Sequence, residues 1–211
     1  MAELQFSVGE AFGYGWQATR KHFKLLLGII VLLGIVAVLE NMFSDPDSKY
    51  HSFLGTLVFW VLSVVMQLGV IKIFLKLYDD QIVAFRDIFS CWKLFFKYLF
   101  GNICYALAVL GGFVCLIVPG VIILVRCQFY SYFIVDKKSG PIEALRLSFK
   151  ATQDNVWKLV CFDLAFMGIL ILGVLALLLG LLVAVPIAAM ASVFVFRKLS
   201  AGPAPEVIPQ A

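Results

Sequence analysis

Residues 164–196 run thirty-three positions without a charged side chain. One bilayer crossing needs only about 20 apolar residues, so this stretch has to turn back on itself in an apolar medium, and Gly180 with Pro186 marks the expected turn. The rest of the chain agrees: of 211 residues, 63% are hydrophobic and 14% charged, with a mean hydropathy of +1.00. A soluble domain is about half apolar and a quarter charged, and a chain of this length cannot clothe a water-facing exterior with so few polar groups. The composition predicts an all-α polytopic membrane protein and excludes collagenous and disordered chains.

Six spans are predicted, at 23–40, 53–77, 98–116, 118–135, 156–179 and 181–196. Gly111, Gly112, Pro119 and Gly120 interrupt the third and fourth, with Pro119 and Gly120 as the expected hairpin break. Arg20, Lys21 and Lys24 ahead of the first span resemble a secretory signal, but no small-x-small cleavage site follows Leu39, so the segment is expected to stay as an anchor. With six crossings, Lys49 alone among the 17 basic residues falls on the far side. By the positive-inside rule both termini are expected to be cytoplasmic.

The segment EAFGYGWQATRKHFKLL from Glu10 aligns with EALRLSFKATQDNVWKLV from Glu143, pairing Ala11 with Ala144, Trp16 with Phe149, and Ala18-Thr19 with Ala151-Thr152. A weaker copy, RDIFSCWKLFFKYL, starts at Arg86. Each copy precedes an odd-numbered span, so the fold class is read as three repeats of amphipathic helix plus transmembrane hairpin, at about 5–80, 81–137 and 138–199, in one membrane domain over 1–200. The Pro-rich tail 201–211 is expected to be disordered. At 100° per residue Val8, Phe12, Trp16, Thr19 and Phe23 share a face, as do Ile82, Phe85, Phe89, Trp92 and Phe96. Aromatic residues flanked by basic ones suit a helix in the membrane interface, which makes Phe12, Trp16, Phe89, Trp92 and Phe149 candidate lipid contacts. The same helices can instead serve as struts that only connect hairpins.

No H-E-x-x-H, G-x-S-x-G, Walker or G-x-G-x-x-G pattern occurs. The five cysteines stand singly and the two histidines far apart, so no metal or cofactor is expected, no catalytic cluster can be assembled, and no nucleic-acid partner is indicated. Away from the three residues at each span end, Lys72, Arg126 and Asp163 are the charges inside spans. Lys72 is expected to snorkel to the basic end. Arg126, ten residues before Asp136, is a functional candidate by depth, and a structural ion pair with Asp163 is the competing role.

The residues VPGVIILVRCQFYSYFIVDKKSGPIEALRLSFKATQDNVWKLV, 118–160, resemble a family of uncharacterised bacterial multi-pass membrane proteins related to the membrane domain found ahead of some glycerophosphodiester phosphodiesterases. The shared features are Pro119, Gly120, Arg126, Asp136, Ala144, Ser148, Phe149 and Thr152, and the chain departs from the family at Asp154-Asn155. The catalytic barrel of those phosphodiesterases is absent from these residues, so their activity is not carried over, and the resemblance implies an inner-membrane location and little about chemistry. The sequence thus predicts a non-enzymatic inner-membrane protein that organises lipids or anchors a partner at the cytoplasmic leaflet, with membrane lipids and a second copy or another membrane protein as partners. The alternative is a transporter or lipid-handling permease with its pathway near Arg126.

Overall fold

The computed structural model describes residues 7–44, 53–175 and 180–200, and every regular element within them is helical. In order these are α1 (Val8–Lys21), α2 (Phe23–Ser44), α3 (Phe53–Tyr78), a 3₁₀ helix (Phe85–Leu94), α4 (Phe95–Cys115), α5 (Ile117–Cys127), α6 (Tyr130–Lys137), α7 (Pro141–Ala151), a 3₁₀ turn (Gln153–Asn155), α8 (Val156–Leu175) and α9 (Leu181–Ser200). Six stretches are long and apolar enough to cross a membrane: α2, α3, the run into α4, α5 with α6, the run into α8, and α9. Hydrocarbon offers no partner to a backbone N–H or C=O, so a helix, which satisfies them internally, is the form such sequences take. The chain is a multi-pass α-helical membrane protein. Residues 45–52, Lys49 among them, residues 176–179 and residues 201–211 lie outside the described residues.

The break between the third and fourth spans differs from expectation. It falls at Leu116, whose extended backbone (φ −172°, ψ 156°) separates α4 from α5. Pro119 sits instead in the first turn of α5, where a missing N–H leaves no helix bond unmade. Gly120 is a contact residue: a Cβ on Gly112 would stand 2.9 Å from the Gly120 Cα, so the hairpin closes glycine on glycine. Pro186 likewise lies inside α9 and not in a turn.

The hairpins have an inner and an outer member. In their most apolar windows α3, α5–α6 and α9 bury 39–44% of residues, against 11–17% for α2, α4 and α8. The second helix of each hairpin therefore forms the core, and the first faces outward. At the end where α3, α6 and α9 finish, here the basic end, a short amphipathic segment stands ahead of each hairpin: α1, the 3₁₀ helix and α7. All three start alike. The N–H of Ser7, Ala84 and Gly140 is accepted by the carboxylate three residues on, that of Glu10, Asp87 and Glu143, at 3.4, 3.1 and 3.3 Å. An acid in the first turn also faces the positive end of the helix dipole.

Candidate functional site

Each strut packs on the hairpin before it, and the first packs on the last. The 3₁₀ helix lies chiefly on α3, α7 on α4, α5 and α6, and α1 on α9. Small residues make this approach possible. Ala11, Gly15, Ala18 and Thr19 form the buried face of α1, and any Cβ on Gly15 would collide with the Ile187 carbonyl of α9. On α3, a Cβ on Gly69 would collide with the backbone of Ile88 in the 3₁₀ helix. The fully buried Ser148 of α7 and Thr152 at its C-cap donate to the backbone oxygen of Arg126 at 2.8 and 3.1 Å.

These docking points share a register. Gly69, Arg126 and Ile187 each lie ten residues, about 15 Å of helix, before Asp79, Asp136 and Arg197. The latter three meet at the basic end. Arg197 Nη1 donates to Asp136 Oδ2 at 3.0 Å and Nη2 to Asp79, so one guanidinium ties the ends of α3, α6 and α9 together. Further polar contacts fasten the periphery. Lys76 pairs with Asp87 and Lys21 with Asp80, both at 2.9 Å, and Lys97 Nζ donates to the Lys138 carbonyl at 2.8 Å. Lys72 reaches the 3₁₀ helix and donates to Ser90 Oγ at 2.7 Å. The hydrogen bond from Lys21 holds the Asp80 carboxyl below its usual range. Burial, with Tyr78, Asp80 and Asp79 nearby, pushes the Tyr14 phenol up to about 12.

Arg126 and Asp163 do not pair; the four ion pairs among the described residues include neither. Arg126 faces α7. Its Nη2 donates to the Phe149 carbonyl at 3.0 Å, and its Cζ stands 3.3 Å from the centroid of the Phe149 ring. Its Nε is buried without a hydrogen-bond partner among the described residues. Asp163 Oδ2 accepts instead from Gln128 Nε2 at 3.3 Å, beside a cavity of about 150 Å³ lined also by Phe162, Phe166, Tyr132 and Ser192. Residues two apart on a helix point about 200° away from each other. Gln128 therefore meets α8, while Arg126 looks the other way.

The aromatic stripe divides as well. Trp16, Phe89 and Trp92 are 48%, 50% and 62% exposed. Phe12 is turned inward, stacked on Phe162 at 5.2 Å, and Phe149 covers Arg126. The second strut winds as a 3₁₀ helix, so its packed face follows a three-residue period through buried Ile88 and Cys91 and half-buried Leu94. An α-helical wheel misassigns that face. The Arg197 cluster was not anticipated; charges within three residues of all three inner-helix ends were the signal for it.

No family model matches the chain, and no solved structure matches it. It is similar to an uncharacterised protein of Mycobacterium bovis, 26% identical over 233 aligned positions covering 96% of this chain and 71% of that protein. Uncharacterised proteins from two strains of Mycobacterium tuberculosis are similar to the same extent, at 26% and 25% identity.

Proposed function

We propose that this is a non-enzymatic protein of the bacterial inner membrane that engages lipids of the cytoplasmic leaflet through its struts, with both termini in the cytoplasm and possible partners in a second copy or another membrane protein. The observation that carries this reading is the division of labour on the first two struts. Small and aliphatic residues turn inward, while Trp16, Phe89 and Trp92 stay outside next to Arg20, Lys21, Lys93 and Lys97. Indole rings prefer the headgroup level, and each nearby cation adds about 1 kcal/mol of attraction to an anionic leaflet. The matching first-turn acids and the shared docking register support descent from a repeated unit of strut plus hairpin. On this reading, kinship with the membrane domain of glycerophosphodiester phosphodiesterases extends to membrane architecture alone.

A permease pathway beside Arg126 is the weaker alternative, because the guanidinium is covered by Phe149 and the cavity beside Asp163 is lined by Gln128 and not by Arg126. The test is a protein whose only tryptophan is Trp92. Shallow-labelled lipids should quench it more than deep-labelled ones, and equal access to an aqueous quencher would reject leaflet engagement. Orientation is checked separately: a cysteine replacing exposed Lys138 should react with an impermeant maleimide only after spheroplasts are lysed, and one replacing Ser48 in intact spheroplasts.

A further inference from the structure

A groove of about 460 Å³ opens between α2, α3 and α4, within the roughly 300–1,000 Å³ of small-molecule sites. Each helix lends it one face: Leu33, Val36, Ala37 and Glu40 of α2, then Trp60, Ser63, Val64 and Gln67 of α3, are spaced i, i+3, i+4, i+7. α4 adds Tyr98 and Asn102. The groove persists because α3 and α4 touch sparingly, their link being a small cluster around Val64, Val65 and Phe95.

Its chemistry is at odds with its place in the bilayer. Gln67 lies eleven residues, about 16 Å, from the basic end of α3, and Asn102 about 10 Å along α4. Both side chains are exposed to the groove, and among the described residues neither has a hydrogen-bond partner. Amides facing hydrocarbon are costly unless something bonds them. The lining includes the Glu40 carboxylate and no Lys, Arg or His, so a phosphate would find no counter-charge. Amide and hydroxyl groups that both donate and accept, beside the Trp60 ring, match hydroxyl groups that do the same.

The geometry points to a binding site here for a lipid with an uncharged, hydroxyl-bearing headgroup, of the glycosyl-diacylglycerol type, entering sideways from the bilayer. The site is separate from the strut faces, and its failure would leave the leaflet reading standing.

Trp60 is the built-in reporter. In a protein retaining only that tryptophan, with Trp16, Trp92 and Trp157 replaced by Phe, phosphatidylcholine vesicles would carry acyl-brominated glucosyl-diacylglycerol or equally brominated phosphatidylglycerol. The glucosyl lipid should quench Trp60 at about fivefold lower mole fraction, the equivalent of one net hydrogen bond, and unlabelled glucosyl lipid should reverse the quenching. Gln67→Leu with Asn102→Leu should abolish the preference. Equal quenching by the two lipids, a preference for phosphatidylglycerol, or an unchanged preference in the leucine pair would each overturn the proposal. So would quenching of Trp60 by acrylamide that glucosyl lipid does not diminish, which would mark a water-filled cleft. A change of oligomeric state in the leucine pair without loss of lipid preference would instead assign the groove to a second copy and reject the lipid.

Discussion

The inner helices are joined at two levels, and the levels obey different rules. At the basic end Asp79, Asp136 and Arg197 meet as charges, 21–31% exposed for the two aspartates and 22% for the arginine, and the contact is an ion-pair network open to water. Ten residues deeper, at Gly69, Arg126 and Ile187, the contacts are backbone against backbone or hydroxyl against carbonyl. Arg126 is the exception at that level. It is tolerated because its guanidinium is spent on a carbonyl and a ring of the strut that docks there. Water-exposed charges are adjustable, whereas a backbone contact admits no extra atom, so substitutions at the deep level should cost more.

The largest effect should come from Gly15→Leu, which forces a side chain into the α9 backbone. A loss of about 2–3 kcal/mol is expected, read as a lower thermal midpoint in detergent and new protease cleavage in α1. Gly13→Ala is the control, since its Cβ would meet nothing within 4 Å and a helical glycine replaced by alanine gains up to about 1 kcal/mol. Equal behaviour of the two would erase the distinction between levels.

Arg126→Lys comes next. Lysine cannot stack on Phe149 while reaching its carbonyl, and a loss of about 2 kcal/mol is expected. Combined with Asp163→Leu the losses should add to within about 0.5 kcal/mol, because the two share no partner; partial rescue in the double variant would restore the direct pair.

Arg197→Gln leaves Asp79 and Asp136 facing each other and should cost about 1 kcal/mol, recovered in part by Asp136→Asn and shrinking in high salt. A loss insensitive to salt would mean that this level is as dry as the deeper one.

Alkaline pH provides a finer probe. Tyr14 packs on Tyr78 and Phe194 with ring centroids 5.2 and 5.3 Å away, and its phenol titrates near 12 in the folded chain against about 10 when exposed. A raised folded value means that the stabilisation is complete below pH 10 and is lost as pH climbs towards 12. Tyr14→Phe should flatten melting curves across that window. The smallest effect belongs to Asp80→Asn, which removes the exposed pair with Lys21. The depressed Asp80 value means that any contribution is present at neutral pH and fades on acidification, and the variant should melt with the parent at pH 7.

Much of this was legible in the sequence because bilayer physics is coarse. Apolar runs of sufficient length become helices, and the observed α2, α3, α8 and α9 start where the runs do. The struts were legible as amphipathic, yet their inward faces were not. The large aromatics at Trp16, Phe89 and Trp92 marked the side offered to lipid, while close packing selected Ala11, Gly15, Ala144 and Ser148. Hydropathy cannot separate a core that needs contact from a core that needs room. Arg126 and Asp163 were matched by sign and approximate depth, which says nothing of azimuth. The groove was missed because only charged residues were sought inside spans, although Ser63, Gln67 and Asn102 break their apolar runs visibly.

The docking of α1 on α9 sets an order of events during synthesis. Gly15 emerges early and its seat at Ile187 emerges 172 residues later, so the first strut, although Tyr14 and Lys21 can already meet Tyr78 and Asp80, lacks its main seat until α9 has been inserted. The middle and third struts, by contrast, find their seats already made. Docking of α1 therefore coincides with insertion of α9, and α1 stays open to proteolysis or chaperone capture until then. A ribosome stalled before α9 should display α1 protease-sensitive with the other two struts protected.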